Sequence, residues 1–130
     1  MRFANLTMYS NVDTIQPISL NYLKQFKPLI MSRKITKEAV SAFLERRPFS
    51  KSNMKVVEDY GIYRLKLHNN TIAIIDELGV LSVSNAGWAS NTTKERLNGL
   101  PNVSVYQKNW NWYLNGKEWT GEWTRIGIVQ

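Results

Sequence analysis

The amino-acid sequence predicts an α+β fold: N-terminal helices packed on an antiparallel β-meander, a short capped helix, and a closing β-hairpin rich in tryptophan. Three features carry this expectation. Apolar residues recur at helical spacing from Thr36 to Pro48, alternate with a period of two from Gly61 to Asn85, and flank an Asn115-Gly116 turn signal near the C-terminus. At 130 residues, 43% of them hydrophobic, the chain suits one compact core. One domain is therefore expected over residues 1–130, with residues 1–34 as an N-terminal extension and 35–130 as the α+β module.

In the extension, Ser19 to Phe26 reads as one or two helical turns limited by Pro28. The next helix, from Thr36, places Val40, Phe43, Leu44 and the stem of Arg47 on one face, opposite Lys37, Glu38, Ser41 and Glu45. Arg46 and Arg47 fall at its negative dipole end, and Pro48 stops it. A strand follows from Asn53 to Asp59. In the meander, a two-residue turn at Asn69-Asn70 and a four-residue loop from Asp76 to Gly79 set Leu65, Leu67, Ile72, Ile74, Leu81 and Val83 on one face. Thr92 with Glu95 forms a capping box, Gly99 supplies a left-handed stop, and Pro101 blocks continuation, which predicts a helix from Thr93 to Asn98.

Asn115-Gly116 sets the register of the last hairpin, because a type I′ turn needs positive φ at both central residues. Leu114 then faces Lys117, Trp112 faces Trp119, and Trp110 faces Gly121. Trp110, Trp112, Trp119 and Trp123, if all open, would exceed the roughly 300–600 Å² of the largest apolar patch on a typical monomer. Trp112 and Trp119 are therefore expected in the core. Tyr113 and Trp123 are the aromatic contact candidates.

The chain has no cysteine and a single histidine, so thiol chemistry and multi-histidine metal sites are excluded. His68, at a strand end on the polar parity, reads as a surface residue. The net charge of +7 is uneven: the first 50 residues hold eight Lys or Arg against three acids, the remainder nine against seven. A positive field of this kind attracts polyanions, so nucleic acid or an acidic face of another protein is the favoured partner. Arg33, Lys34, Arg46, Arg47, Arg64 and Lys66 are the candidate contacts. Thr92, Thr93, Lys94 and Arg96, at the start of a helix, form a second candidate for one phosphate. The acid pairs Glu58-Asp59 and Asp76-Glu77 sit at turns, where acids commonly serve the backbone, and a hydrolytic or magnesium site built from them is the lesser expectation. No phosphate loop, dinucleotide fingerprint or zinc motif is present, and no run of about 18 apolar residues could span a membrane. The residues thus point to a non-enzymatic binding protein without cofactor, metal or membrane contact, located in the cytoplasm.

The segments "AVSAFLERRPF" and "GWASNTTKERLNGLPNVSVYQKNWNWYLNGKEW" resemble a module of small accessory proteins encoded by tailed bacteriophages. The likeness lies in the helix running into Phe43 to Phe49, in Ala86-Gly87-Trp88, in Thr92 to Asn98, in Gln107-Lys108 and in Tyr113 to Gly116, and covers about residues 38 to 124. It transfers no catalytic residue or cofactor. What it implies is phage origin, an accessory role in the host cell, and a host bacterial protein as an alternative partner, with anti-defence or transcription takeover as the outcome. A virion component is a further alternative.

Overall fold

The structure, a computed structural model, describes residues 33–129. The turns expected between Ser19 and Phe26 lie outside the described residues, as does the extension before Arg33. The chain divides into two units, Met1–Met31 and Ser32–Gln130, and every element below belongs to the second. In chain order these are α1 (Lys34–Leu44), β1 (Phe49–Lys51), β2 (Met54–Asp59), β3 (Ile62–Leu67), β4 (Asn70–Ile75), β5 (Val80–Val83), α2 (Asn91–Leu97), β6 (Val105–Lys108), β7 (Asn111–Leu114), β8 (Lys117–Glu118) and β9 (Thr124–Ile128). The unit is α+β as expected. A six-stranded antiparallel sheet, ordered β1-β2-β3-β4-β5-β9, carries α1 across β1 to β3, while a second sheet, β6-β7-β8, meets α2.

Helix α1 buries Thr36, Ala39, Val40, Ala42 and Phe43, the stripe of an amphipathic helix laid on a sheet. It starts two residues earlier than expected, with no cap or acid of its own in the first turn. Glu95 supplies both from α2, accepting the Arg33 N–H at 2.9 Å and the Thr36 hydroxyl at 2.6 Å. The carboxylate thus meets the free amides and the positive dipole end of α1. At the other end, Arg46 turns left-handed at φ 54°; its N–H reaches the Phe43 carbonyl while the Arg47 N–H reaches that of Ala42. This is a Schellman closure with arginine where glycine is usual. The Arg46 guanidinium steadies it by donating to the carbonyls of Leu44 at 2.8 Å and Val129 at 3.4 Å. Because the chain reverses there, the Arg47 stem does not cover the helix's apolar face as expected; the residue is exposed and pairs with Glu45.

The meander forms one residue out of the expected register. The tight turn is His68-Asn69, both at positive φ, so Leu67 pairs with Asn70. A bulge opposite Leu65 and Lys66 then absorbs Ile72. Ala73 faces Val83, Ile75 faces Leu81, and Ile74 turns to the outer face between Arg64 and Ser82. Leu65, Leu67, Ile72, Leu81 and Val83 are buried as expected; Ala73 and Ile75 replace Ile74 in that layer. Moving the turn by one residue leaves Ile72 on the inner parity, and the extra residue at the bulge reverses the parity after it, which brings Ala73 and Ile75 inward and turns Ile74 out.

Helix α2 is capped by Ser90, which accepts from the Thr93 N–H, rather than by Thr92. Glu95 cannot close a capping box because its carboxylate serves α1. Nor is Gly99 a left-handed stop: a Cβ there would lie 2.6 Å from Thr36 Cγ2, so glycine is needed for the close approach to α1. In the last hairpin Asn115 and Gly116 take φ 51° and 87°, and Leu114 pairs with Lys117 as expected. The Trp119 N–H donates to the Trp112 carbonyl, the two rings sit 6.3 Å apart, and both are buried. Trp110 does not cover Gly121, because it occupies the turn between β6 and β7. Instead the Asn85 side chain packs on Gly121, and the Asn85 N–H donates to its carbonyl at 3.1 Å. The Trp119 indole N–H, shared between the Glu122 carbonyl and Thr124 Oγ1, helps bend the chain out of the hairpin towards β9.

Arg96 sits at the junction of these pieces and is only 3% exposed. Its guanidinium donates from Nη1 to the Glu95 carboxylate and to the Thr36 hydroxyl at 3.1 Å, and from Nη2 to Asn53 Oδ1 at 3.2 Å. Burial by itself would raise the Glu95 pKa, but hydrogen bonds from Thr36, the Arg33 amide and Arg96 outweigh it and hold the carboxyl below its ordinary value of 4.5. A carboxyl depressed by folding stabilises the fold above its unfolded pKa, and that contribution disappears as pH falls through the lower folded value. The melting temperature should therefore fall as pH drops below about 4.5, with a shallower fall in Glu95→Gln; equal slopes in the two proteins would refute the assignment. Arg96→Ala should cost about 3–5 kcal/mol in urea unfolding, against less than about 0.5 kcal/mol for the exposed Lys37→Ala.

Candidate functional site

Strand alternation sends Met54 and Val56 of β2, and Leu65 and Leu67 of β3, to the face under α1, so Lys55, Asp59, Arg64 and Lys66 take the opposite, outer face. The register aligns them in two rows. One runs Ser50, Lys55, Lys66, Thr71; the next runs Val57, Arg64, Ile74, Ser82, Arg125. Four cations from β2, β3 and β9 thereby share one sheet face with a single acid, Asp59, whose carboxylate is 3.7 Å from Arg64. Lys55 stands directly across from Lys66. The ion pairs among the described residues include neither of these lysines, nor Arg125.

Only Arg64 and Lys66 of this group were expected from the sequence. Lys55 was legible in principle, since "NMKVVED" alternates. Arg125 was not, because β9 reaches β5 only after the chain has crossed the second sheet. The candidates on α1 are not brought to this face. Lys34 lies 4.0 Å from Glu38, Arg47 binds Glu45 at 2.7 Å, and Arg46 is committed to two carbonyls, all on or beside a helix that covers the other side of the sheet. Arg33, at the head of α1, gives its amide to Glu95. A continuous strip from the N-terminal cations to Arg64 and Lys66 is thus interrupted by the thickness of the sheet.

The second anion candidate is taken up internally. Thr93 is buried with its hydroxyl 3.0 Å from Ser90 Oγ, Arg96 is the buried junction described above, and Thr92 is half-buried. Lys94 leans over the Trp112 ring, 5.4 Å from its centroid, and donates to Gln107 Oε1 at 3.2 Å. Among the aromatic candidates, Tyr113 stacks on Tyr106 with centroids 5.2 Å apart, and Trp123 is half-exposed. Trp110, expected opposite Gly121 and not among the contact candidates, is 91% exposed. It borders an open groove of about 720 Å³ lined also by Lys94, Asn98, Val105, Tyr106, Gln107 and Asn109.

The turn carboxylates serve their own turns. Glu58 accepts the Gly61 N–H at 2.8 Å, and Asp76 accepts the N–H groups of Leu78 and Val80 at 2.8 and 3.0 Å. Among the described residues no group of three or more His, Asp or Glu is placed to hold a metal ion, and no helix is long and apolar enough to cross a membrane. The outer sheet face therefore offers the clearest uncompensated charge. Like charges directly across a strand pair are destabilising by some tenths of a kcal/mol. Lys55→Glu, which creates an opposite-charge pair with Lys66, should stabilise the protein by about 0.5 kcal/mol, read as a higher urea midpoint; an unchanged or lower midpoint would show that the two lysines do not repel.

Residues 32–129 match the family model described as Kyanoviridae Gp96 protein, beginning where the second unit begins. No curated protein and no solved structure matches the chain.

Proposed function

The chain belongs to the Kyanoviridae Gp96 protein family, a family of phage proteins, and from that premise we propose that it is a non-enzymatic accessory protein that binds nucleic acid. Contact runs through the outer face of the six-stranded sheet, by way of phosphates and with little base readout. The observation that carries this reading is the pair Lys55 and Lys66, set side by side without an acid and continued by Arg64 and Arg125. Such an array lowers stability in isolation and gains from a polyanion that screens it. Neighbouring strands suit a backbone-tracking role, because their side chains stand about 5 Å apart, a spacing that several phosphates can meet together.

One observation favours a host protein as partner instead. Tyr60, 90% exposed, and Leu78, also exposed, occupy two turns at one end of the sheet, where a Cβ on Gly61 would come within 3.0 Å of Glu77. Exposed apolar side chains on adjacent turns fit a protein surface better than a phosphate chain.

Affinity for a mixed-sequence duplex should fall roughly 40- to 150-fold between 50 and 200 mM salt, as three or four phosphate contacts require. Lys55→Glu should lower it further at every salt concentration, and Lys37→Ala on α1 should leave it unchanged. Salt-independent binding, or none at low salt, would sink the nucleic-acid reading. A nuclease-treated pull-down that retains one host protein in equal amount, and loses it in Tyr60→Ser with Leu78→Ser, would put the second reading in its place.

A further inference from the structure

Four two-residue turns that join paired strands among the described residues have positive φ at both central positions: Tyr60-Gly61, His68-Asn69, Asn109-Trp110 and Asn115-Gly116. Their second position is the one that favours glycine or asparagine, which tolerate the left-handed region. At Asn109-Trp110 it holds the largest side chain in the alphabet, at φ 73° and almost wholly in water. Backbone strain and an exposed indole both weigh against Trp110 as a stabilising choice, and no ring contact with another described aromatic offsets them. A residue that the fold pays for twice is a residue with a use outside the fold.

The groove beside it has matching chemistry. β6 is an edge strand of the small sheet. The Asn98 side chain closes that edge at one point, donating to the Val105 carbonyl at 2.9 Å and accepting the Val105 N–H at 2.7 Å. In an antiparallel ladder, alternate residues direct both main-chain groups to the same side, so Gln107 turns its N–H and carbonyl into the groove. Trp110 bounds the far end, and Lys94 stands on the wall formed by α2. A single residue of open edge between Val105 and the turn is too short for an added peptide strand. It offers one donor and one acceptor, the complement of one nucleobase edge, with a ring beside it to stack.

We propose that this groove holds an unpaired base of a single-stranded nucleic acid, stacked on Trp110 and read by the Gln107 main chain. The proposal rests on the nucleic-acid reading above and adds to it a preference for single strands, since a base within a duplex has both faces stacked and its Watson–Crick edge occupied.

The test measures fluorescence anisotropy of a short labelled single strand and of the matching duplex, using the full chain. Trp110→Gly removes the ring and relieves the turn, so its melting temperature should rise; single-strand affinity should fall roughly ten-fold, with duplex affinity unchanged. Trp110→Tyr, which keeps a stacking face, should retain most of the affinity. Equal single-strand affinity in Trp110→Gly and the original protein overturns the proposal, as does an equal loss for both nucleic acids. Duplex binding that Lys55→Glu abolishes, without single-strand preference, leaves the sheet-face reading standing and this one refuted; no binding to either nucleic acid refutes both. Preferential binding of an extended peptide that competes with the single strand would reassign the groove to a protein.

Discussion

The fold turns on a buried arginine. Arg96 joins α2, through Glu95, to the head of α1 at Thr36 and to the β1–β2 turn at Asn53, so three pieces distant in sequence are held by one guanidinium. A buried cation is tolerated only with close, hydrogen-bonded partners. That requirement fixes the helix-to-helix distance, which in turn demands glycine at position 99 and lets α1 begin without a local cap. Removing any member leaves the others buried and unsatisfied, which makes the arrangement cooperative and not a sum of separate contacts.

With α1 anchored over β1 to β3, the two faces of the large sheet acquire different roles. The inner face takes Met54, Val56, Leu65 and Leu67 out of water, and what alternates with them must face outward. Local register then determines charge geometry: Lys55 meets Lys66 because β2 and β3 are joined by a two-residue turn, and Arg64 shares a row with Arg125 because a bulge lies between Leu81 and Ser82 on the β5–β9 pair. The same pairing that builds the core therefore concentrates cations on its back.

The second sheet is organised by side chains that imitate backbone. Asn98 bonds Val105 as a neighbouring strand would, and Asn115, besides forming the hairpin turn, accepts the Ser104 N–H and donates to the Asn102 carbonyl. These contacts hold the β6–β7 hairpin against α2 and keep Trp112 and Trp119 inside. Trp110 is the exception, placed at a tip with nothing to cover it.

By itself the sequence determined the α+β class, the helix over Val40 and Phe43, the meander, and the Asn115-Gly116 hairpin with Trp112 opposite Trp119, because each depends on periodicity or turn chemistry within a few residues. Of the candidate site, Arg64 and Lys66 were legible from strand parity. Tertiary structure decided the rest. Whether His68-Asn69 or Asn69-Asn70 turns the chain depends on a bulge that only the packed core can select. Arg46 and Arg96, alike in sequence to any surface arginine, became structural because carbonyls and a carboxylate from far along the chain reached them. Arg125 joined the basic face, and Trp110 lost its place opposite Gly121, for the same physical reason: strand partners are chosen by which distant edges meet, and a local pattern carries no record of that choice.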